Sequence, residues 1–349
     1  RRYLVNAVIR LSRKSGRFPQ NLQLCHVQDL RSTELCGGYG LIYEGKLHGR
    51  LVAVKKVREG RRSSHQFHKE FSNEAVVWYY VRHRNCLPFY GVYVFDDDSG
   101  LRTWCLVSPW MAEGHVKDYL QRNPDTDRLP LILDVARGLE YLHSMEPAVS
   151  HGDLKGVSVS LCIRRSISLI TSSGRACLAD FGIVMVRDSH VQLTTTTPGV
   201  AGTTYFMAPE LIDARSDPDR LQRLDKRRCD MYALGCVCYE MYTGMVPFQG
   251  LGPAIAGIRV LLEERPARPS EVCQGLDDDM WSFIEALWKH TPTERPTATE
   301  ACKKISDKME SQGKDTVRQS TEVEWDVRFL ADAAVTMVTE DPFALARVT

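Results

Sequence analysis

Two short segments of the chain carry residue types that suit the binding of a phosphate group. The first is the glycine-rich run Gly37-Gly38-Tyr39-Gly40, where backbone N–H groups can approach phosphate oxygens without an intervening Cβ. The second is Val52-Ala53-Val54-Lys55, where a lysine follows three apolar residues of a predicted strand. A lysine in such a strand is costly to bury unless an anion or a carboxylate meets it. Glu74, on the helix predicted next, can supply that carboxylate.

These segments resemble the start of a protein kinase, and later motifs extend the resemblance through most of the chain. His151-Gly152-Asp153-Leu154-Lys155 is similar to the catalytic loop of that family. Asp180-Phe181-Gly182 is similar to its metal-binding motif, and Ala208-Pro209-Glu210 to the end of its activation segment. Asp230 and Arg295 fall where kinases place an anchor beneath the catalytic loop and a salt-bridge partner for Glu210. The order and spacing of these motifs carry the resemblance, since each tripeptide alone is common.

The resemblance implies a role for each matching residue in phosphoryl transfer from ATP. Asp153 is expected to accept the substrate hydroxyl proton, Lys155 to lie beside the moving phosphoryl group, and Lys55, paired with Glu74, to bind the α- and β-phosphates. Asp180 is expected to hold Mg²⁺. The residues expected to line the ATP site are Leu35, Gly37, Gly38, Gly40, Ile42, Ala53, Lys55, Ser108 and Met111.

Two positions indicate the substrate class. Lys155 after Asp-Leu is similar to Ser/Thr kinases, and Thr203 lies in a run that resembles their substrate platform. The protein is therefore expected to phosphorylate Ser and Thr residues of protein substrates. These features fit transfer to small molecules less well. The run Leu106-Val107-Ser108-Pro109-Trp110-Met111 and the helix around Glu74 further resemble the tyrosine-kinase-like Ser/Thr group, in versions found in basidiomycete fungi.

Two residues depart mildly from the family pattern. Leu35 stands where the first glycine of the loop is expected, which predicts a modest loss of loop flexibility. Gly152 replaces the arginine that normally pairs with a phosphorylated activation-loop residue. Because that docking charge is missing, we expect weak dependence on phosphorylation of Ser189 or of threonines 194–197.

The catalytic-loop asparagine that binds a second metal ion is also missing. Ser158 occupies its position, and a serine hydroxyl is a shorter and weaker metal ligand. Asp180 follows Asp153 by 27 positions, which is longer than the family spacing, and the excess is predicted in 157–170. Two explanations stay open. The first is an insertion that impairs catalysis, giving a nucleotide-binding pseudokinase or scaffold. The second is read-through of a splice donor over Val157–Ser166, since the donor sequence GTGAGT would encode Val-Ser, the residues at 157 and 158.

The composition is that of an ordinary globular protein with about two folding units in 349 residues. Lys and Arg number 45 against 44 Asp and Glu, which argues against nucleic acid as a partner. No apolar run is long enough for a membrane span. The eleven cysteines are scattered without zinc spacing, so a reducing compartment, cytoplasmic or nuclear, is expected. Cys229, Cys236 and Cys238 are predicted as core residues.

Hydrophobic patterning predicts a small β-rich unit followed by a larger helical unit, and the resemblance implies the two-lobed α+β fold of protein kinases. Short apolar runs and glycines indicate strands at 41–43, 51–54, 89–95 and 103–108, with a turn region at Gly45 and Gly49, and helical spacing indicates one helix at 66–82. Helices are predicted at 129–145, 231–242 and 280–289. The expected organisation is an N-terminal helical extension at 1–30, a small antiparallel β lobe at 31–108, a mainly helical lobe at 109–310, and a tail at 311–349 outside the resemblance.

Overall fold

The chain divides into two compact units, Arg1–Met111 and Ala112–Ser320. The computed structural model describes residues 2–37, 40–57, 63–96, 100–146, 148–152, 154, 168–171, 173–179, 185–186, 203–270 and 273–316. Asp153, Lys155, Ser158, Asp180 and Gly38 lie outside these residues, as does the tail from residue 317.

The first unit is built on a six-stranded sheet in the order β1-β5-β6-β4-β3-β2. Neighbouring strands are antiparallel except for the short β1, which lies parallel to β5. The strands are β1 (Gln23–Leu24), β2 (Gln28–Gly37), β3 (Gly40–Leu47), β4 (Arg50–Lys56), β5 (Gly91–Asp96) and β6 (Arg102–Pro109), and the helices are α1 (Arg2–Ser15) and α2 (Ser64–Tyr80). The expected helical extension at 1–30 thus also contributes β1 and the start of β2 to the sheet.

One face of the sheet carries a hydrophobic cluster to which β4 contributes two valines. Val52 and Val54 are fully buried and pack with Val107 and Cys105 of β6 in one hydrophobic cluster. Ala53 and Lys55 therefore point to the opposite face, because successive side chains of a strand alternate.

The predicted turn at Gly45 and Gly49 is wrong at its first residue. Gly45 lies within β3 and pairs with Val52, and the chain reverses at His48 and Gly49, both with positive φ. Gly45 is required by packing instead, since a Cβ at this position would lie 2.7 Å from Cγ1 of Val27. Both a turn and a close approach of side chains favour glycine, so its presence alone did not distinguish them.

The second unit is mainly helical. Its helices are α3 (Val116–Arg122), α4 (Arg128–Ser144), α5 (Pro209–Asp213), α6 (Pro218–Arg223), α7 (Lys226–Thr243), α8 (Pro253–Leu261), α9 (Asp278–Leu287) and α10 (Ala298–Ser311). Two short antiparallel pairs accompany them: β7 (Val149–Ser150) with β10 (Met185–Val186), and β8 (Ser168–Ile170) with β9 (Ala176–Leu178).

The centre of the second unit is α7, whose residues from Cys229 to Tyr242 are all buried. A helix that is apolar on every side belongs in a core, and the three cysteines predicted there are among its buried residues. α4 packs between α7 and α10, and α9 packs on α7. Asp225 caps the first turn of α7, and Gly244 ends it in the left-handed conformation.

Candidate active site

Lys55 and Glu74 form the expected ion pair within the first unit. Lys55 Nζ on β4 lies 3.6 Å from Glu74 Oε1 on α2, and the two side chains are only 13 % and 11 % exposed. α2 begins at the capping residue Ser63, whose side chain accepts from the backbone N–H of Gln66. β4 and α2 thus bring a lysine and a glutamate together where both side chains are largely shielded from solvent.

The sheet register places three more of the predicted nucleotide-contacting residues on the face of Lys55. Ile42 of β3 is directly opposite Lys55, and Ser108 of β6 is directly opposite Ala53. Directly opposed residues of neighbouring strands point to the same side of a sheet. The sheet thus presents Ile42, Ala53, Lys55 and Ser108 on the face opposite to the cluster of Val52 and Val54. Met111 ends this unit, one residue after Trp110, whose N–H donates to Leu51 O.

The first and last glycines of the glycine-rich run lie on two paired strands, β2 and β3. Gly37 pairs with Gly40, with Gly38 outside the described residues. Leu35 lies near the end of β2, where the pairing shifts register between Ser32 and Cys36. Gly37 thus ends β2 and Gly40 begins β3.

In the second unit, the first two residues of the catalytic-loop motif are fixed by hydrogen bonds. Asp230 Oδ2 accepts from the backbone N–H of His151 at 2.8 Å, and Asp230 Oδ1 accepts from that of Gly152 at 2.9 Å. His151 Nε2 donates to Ala179 O at 3.0 Å. This bond connects the segment just before Asp153 to the residue just before Asp180. Asp230 is thus confirmed as the anchor of the loop, although Asp153 and Asp180 themselves are not described.

The hairpin of β8 and β9 begins at the end of the segment in which the excess length is predicted. β8 pairs residue by residue with β9, and the N–H of Ile170 donates to Gly114 O. β9 is held in turn by Asp134 of α4, which accepts from the N–H of Ala176 at 3.1 Å. Residues 168–170 therefore belong to a regular strand at the end of the segment 157–170 in which the excess is predicted.

Glu210 and Arg295 form the predicted salt bridge, in a bidentate geometry. Arg295 Nη1 and Nη2 donate to the two carboxylate oxygens at 2.7 and 2.8 Å. The same guanidinium donates to the backbone oxygens of Lys289, Arg228 and His290, and it lies over the ring of Tyr232. Burial raises the pKa of Glu210, but the hydrogen bonds and charge of Arg295 outweigh that effect and hold the pKa below its ordinary value.

Glu210 and Asp230 each have a further side-chain partner that was not identified from the sequence. The Cys229 thiol donates to Glu210 Oε1 at 3.1 Å, and burial raises the pKa of this thiol. His143 Nε2 lies 2.9 Å from Asp230 Oδ2. Cys229 lies next to Asp230 and was predicted only as a core residue. The only sign of a further role for Cys229 in the sequence was its position next to Asp230. The spacing of residues along a helix does not indicate a partner in another element.

Among the residues that the structure describes, no cluster of His, Cys, Asp or Glu could hold a metal ion. The residues assigned to magnesium, Asp180 and Ser158, fall outside that part of the chain. Within the same part, no helix has both the length and the apolar character needed to cross a membrane.

Comparisons with known proteins extend over most of the chain. The protein kinase domain family matches residues 36–305. The chain is 26 % identical over 292 residues to the serine/threonine-protein kinase STY46 of Arabidopsis thaliana, which covers 82 % of this chain and 45 % of that protein. It is 36 % identical over 219 residues to a probable receptor-like protein kinase of the same plant, covering 60 % of this chain and 31 % of that protein.

A third relative from Arabidopsis thaliana, the serine/threonine/tyrosine-protein kinase HT1, is 28 % identical over 269 residues, which are 74 % of this chain and 61 % of HT1. The chain thus spans less than two thirds of the length of each of these relatives. The matched residues 36–305 include the glycine-rich run, the Lys55–Glu74 pair, the loop anchored on Asp230, and the Glu210–Arg295 bridge. The chain belongs to the protein kinase family.

Proposed function

We propose that the protein is an ATP-dependent protein kinase that transfers the γ-phosphate of ATP to Ser and Thr hydroxyls of protein substrates. The observation that carries this proposal is the shielded ion pair of Lys55 with Glu74, on the sheet face shared with Ile42, Ala53 and Ser108. The shielded lysine suits the phosphates of ATP, and the small or apolar side chains around it suit the adenine.

Each site residue has a proposed role in this transfer. Lys55 binds the α- and β-phosphates and Glu74 orients Lys55. The glycine-rich run with Leu35, Gly37, Gly38 and Gly40 covers the phosphates, and Met111 offers its backbone to the adenine edge. Asp153 accepts the proton of the substrate hydroxyl, and Lys155 neutralises charge on the moving phosphoryl group.

Protein kinases generally use ATP together with Mg²⁺, which neutralises the charge of the triphosphate. We assign Mg²⁺ to Asp180, with Ser158 as a weak additional ligand. The hydrogen bond from His151 to Ala179 supports this assignment, because it holds together the backbone segments that lead to Asp153 and to Asp180.

Ser/Thr specificity is proposed from Lys155 and from the names of the relatives. Two of the three reported relatives are serine/threonine or serine/threonine/tyrosine kinases by name. The same relatives support placement in the tyrosine-kinase-like group, and the nearer resemblance to basidiomycete members rests on the sequence alone. A reducing compartment, the cytoplasm or nucleus, is proposed because nine cysteines of the described part of the chain form no disulfide.

The neighbouring lysines of β4 provide a matched test. Lys55→Met and Lys56→Met remove the same charge from adjacent residues that point to opposite faces of the sheet. Incubation with Mg²⁺, radiolabelled ATP and peptide libraries containing only Ser, Thr or Tyr as acceptor should show transfer to Ser and Thr, lost in Lys55→Met and retained in Lys56→Met. ATP binding without transfer by the unaltered protein would instead support the nucleotide-binding scaffold. Equal loss in both variants would contradict the role of Lys55.

A further inference from the structure

The N-terminal segment of the chain packs on the helix that carries Glu74. The N-terminal segment comprises residues 2–18, and its helix α1 packs on α2. These residues precede the family match at 36–305. The kinase domain itself therefore does not account for this segment. Its position next to α2 suggests a contribution to the geometry of the ion pair.

A buried hydrogen bond connects the end of α1 to the middle of α2. The Ser72 hydroxyl donates to Gly16 O at 2.9 Å, and Ser72 is 1 % exposed. Gly16 has a φ of +68° and turns the chain just after α1. A Cβ at Gly16 would make van der Waals contact with His68 Cβ and Lys69 N of α2, both at 3.4 Å, but the positive φ would strain any other residue. The turn between α1 and the following residues thus favours this glycine.

Phe18 connects the same segment to both α2 and the sheet. Its side chain is 1 % exposed, and its ring meets those of Phe71 on α2 and Trp104 on β6 edge-on, at 6.2 and 6.3 Å between centroids. Phe71 and Trp104 also meet directly at 5.5 Å. Edge-to-face aromatic contacts have defined geometry, so this cluster of three rings fixes the helix relative to the strand.

These contacts lie close to Glu74 along α2. Phe71 precedes Glu74 by three residues and Ser72 precedes it by two, so any shift of α2 at these positions moves Glu74 as well. On the other side of Glu74, Trp78 Nε1 donates to Leu87 O at 2.7 Å. The ion pair itself is a weak constraint, because the desolvation of two shielded charges offsets much of their attraction. The position of α2 is therefore set by its packing rather than by the pair.

We propose that Phe18 and Ser72 are positioning residues, which hold α2 so that Glu74 stays against Lys55. The proposal rests on the proposed kinase function, in which the Lys55–Glu74 pair binds the phosphates of ATP. The N-terminal segment then acts as a built-in support for ATP binding, supplied by residues before the kinase domain.

The test compares the buried serines of the two helices. Ser72→Ala removes the hydrogen bond to Gly16. Ser12→Ala is the control: Ser12 is equally buried in α1, and its hydroxyl has no hydrogen-bond partner among the described residues. Phe18→Leu removes the aromatic contacts while keeping an apolar side chain. We expect Ser72→Ala and Phe18→Leu to weaken ATP affinity and kcat/KM for ATP about three- to tenfold, with Ser12→Ala unchanged.

A double-mutant cycle separates positioning from a general effect on stability. Each variant is also made in a Glu74→Gln background, where a residue that acts through Glu74 should lose most of its effect on ATP affinity. Equal losses in both backgrounds would overturn the proposal, as would an unchanged affinity in Ser72→Ala and Phe18→Leu.

A measurement that needs no activity keeps the proposal separate from the proposed function. Hydrogen exchange of the complete protein should show faster exchange in α2 for Ser72→Ala and Phe18→Leu, with the remainder of the first unit unaffected. Absence of phosphoryl transfer in the unaltered protein would contradict the proposed function alone, whereas exchange that rises uniformly, or not at all, would contradict the positioning role.

Discussion

Asp230 Oδ1 accepts a hydrogen bond from the backbone N–H of Gly152 at 2.9 Å, across 78 positions of the chain. The other oxygen of the same buried carboxylate accepts from His151 N and lies within hydrogen-bond distance of His143. A single side chain on α7 thus fixes the backbone that leads to Asp153. The loop motif and the central helix of the second unit are therefore one structural arrangement.

Replacement of Asp230 by Asn should disrupt this arrangement. The amide has one acceptor oxygen, so its NH₂ group would face at least one backbone donor that the carboxylate now satisfies. We expect Asp230→Asn to lower the free energy of unfolding by about 2–3 kcal/mol and to reduce kcat more than the KM for ATP. Urea denaturation and steady-state kinetics measure both effects. Asp219→Asn, an exposed position on α6, serves as the control and should change stability little.

The Glu210–Arg295 bridge predicts a loss of stability in acid. Because Arg295 holds the pKa of Glu210 below its ordinary value of 4.5, the unfolded chain binds a proton at Glu210 more readily than the folded protein. The contribution of the bridge is therefore complete above pH 4.5 and is lost as the pH falls through the pKa of the folded protein. Urea denaturation at a series of pH values should show a shallower acid dependence in Glu210→Gln. An identical slope in the two proteins would contradict this assignment.

Cys229 should support the same bridge through its thiol. Cys229→Ser keeps a donor at this buried position, whereas Cys229→Ala removes it and leaves Glu210 Oε1 with one fewer hydrogen bond. We expect the alanine variant to be less stable than the serine variant by about 1 kcal/mol, as measured by the urea midpoint. Greater stability of the alanine variant would show that apolar packing, and not the hydrogen bond, determines the residue at 229.

Gly152 predicts that activity depends weakly on phosphorylation of the activation segment. The arginine that would pair with a phosphate at this position is absent, and Gly152 itself has a φ of +78°. Phosphatase treatment should therefore leave kcat within about twofold, and so should alanine at Ser189 and at threonines 194–197. Loss of activity on dephosphorylation, regained with added kinase and ATP, would refute this prediction.

The sequence predicted the residues that lie in regular elements or family motifs. Lys55 and Glu74 could be paired because strand alternation and helix position determine where their side chains point. Asp230 and Arg295 could be placed because they occur at the spacing of the family. Gly45 was wrongly assigned to a turn. A glycine required for close packing cannot be distinguished in the sequence from a glycine required for a turn.

Contacts between distant segments could not be predicted in this way. The bond from Ser72 to Gly16 spans 56 positions, and the contact of Phe18 with Trp104 joins the N-terminal segment to β6. No periodic pattern connects such residues, because they meet only when the whole unit has folded. The hydrogen bond of Cys229 with Glu210 depends in the same way on how α7 packs near α5.

The most direct test of the proposed function is Mg²⁺-dependent transfer from ATP to a Ser/Thr protein substrate by the unaltered protein and by Asp153→Asn. The account predicts transfer that requires Mg²⁺ and disappears in the variant, which would also show that Ser158 does not prevent catalysis. ATP binding without transfer in the unaltered protein, seen as a thermal shift on addition of ATP, would contradict the account and identify a nucleotide-binding scaffold.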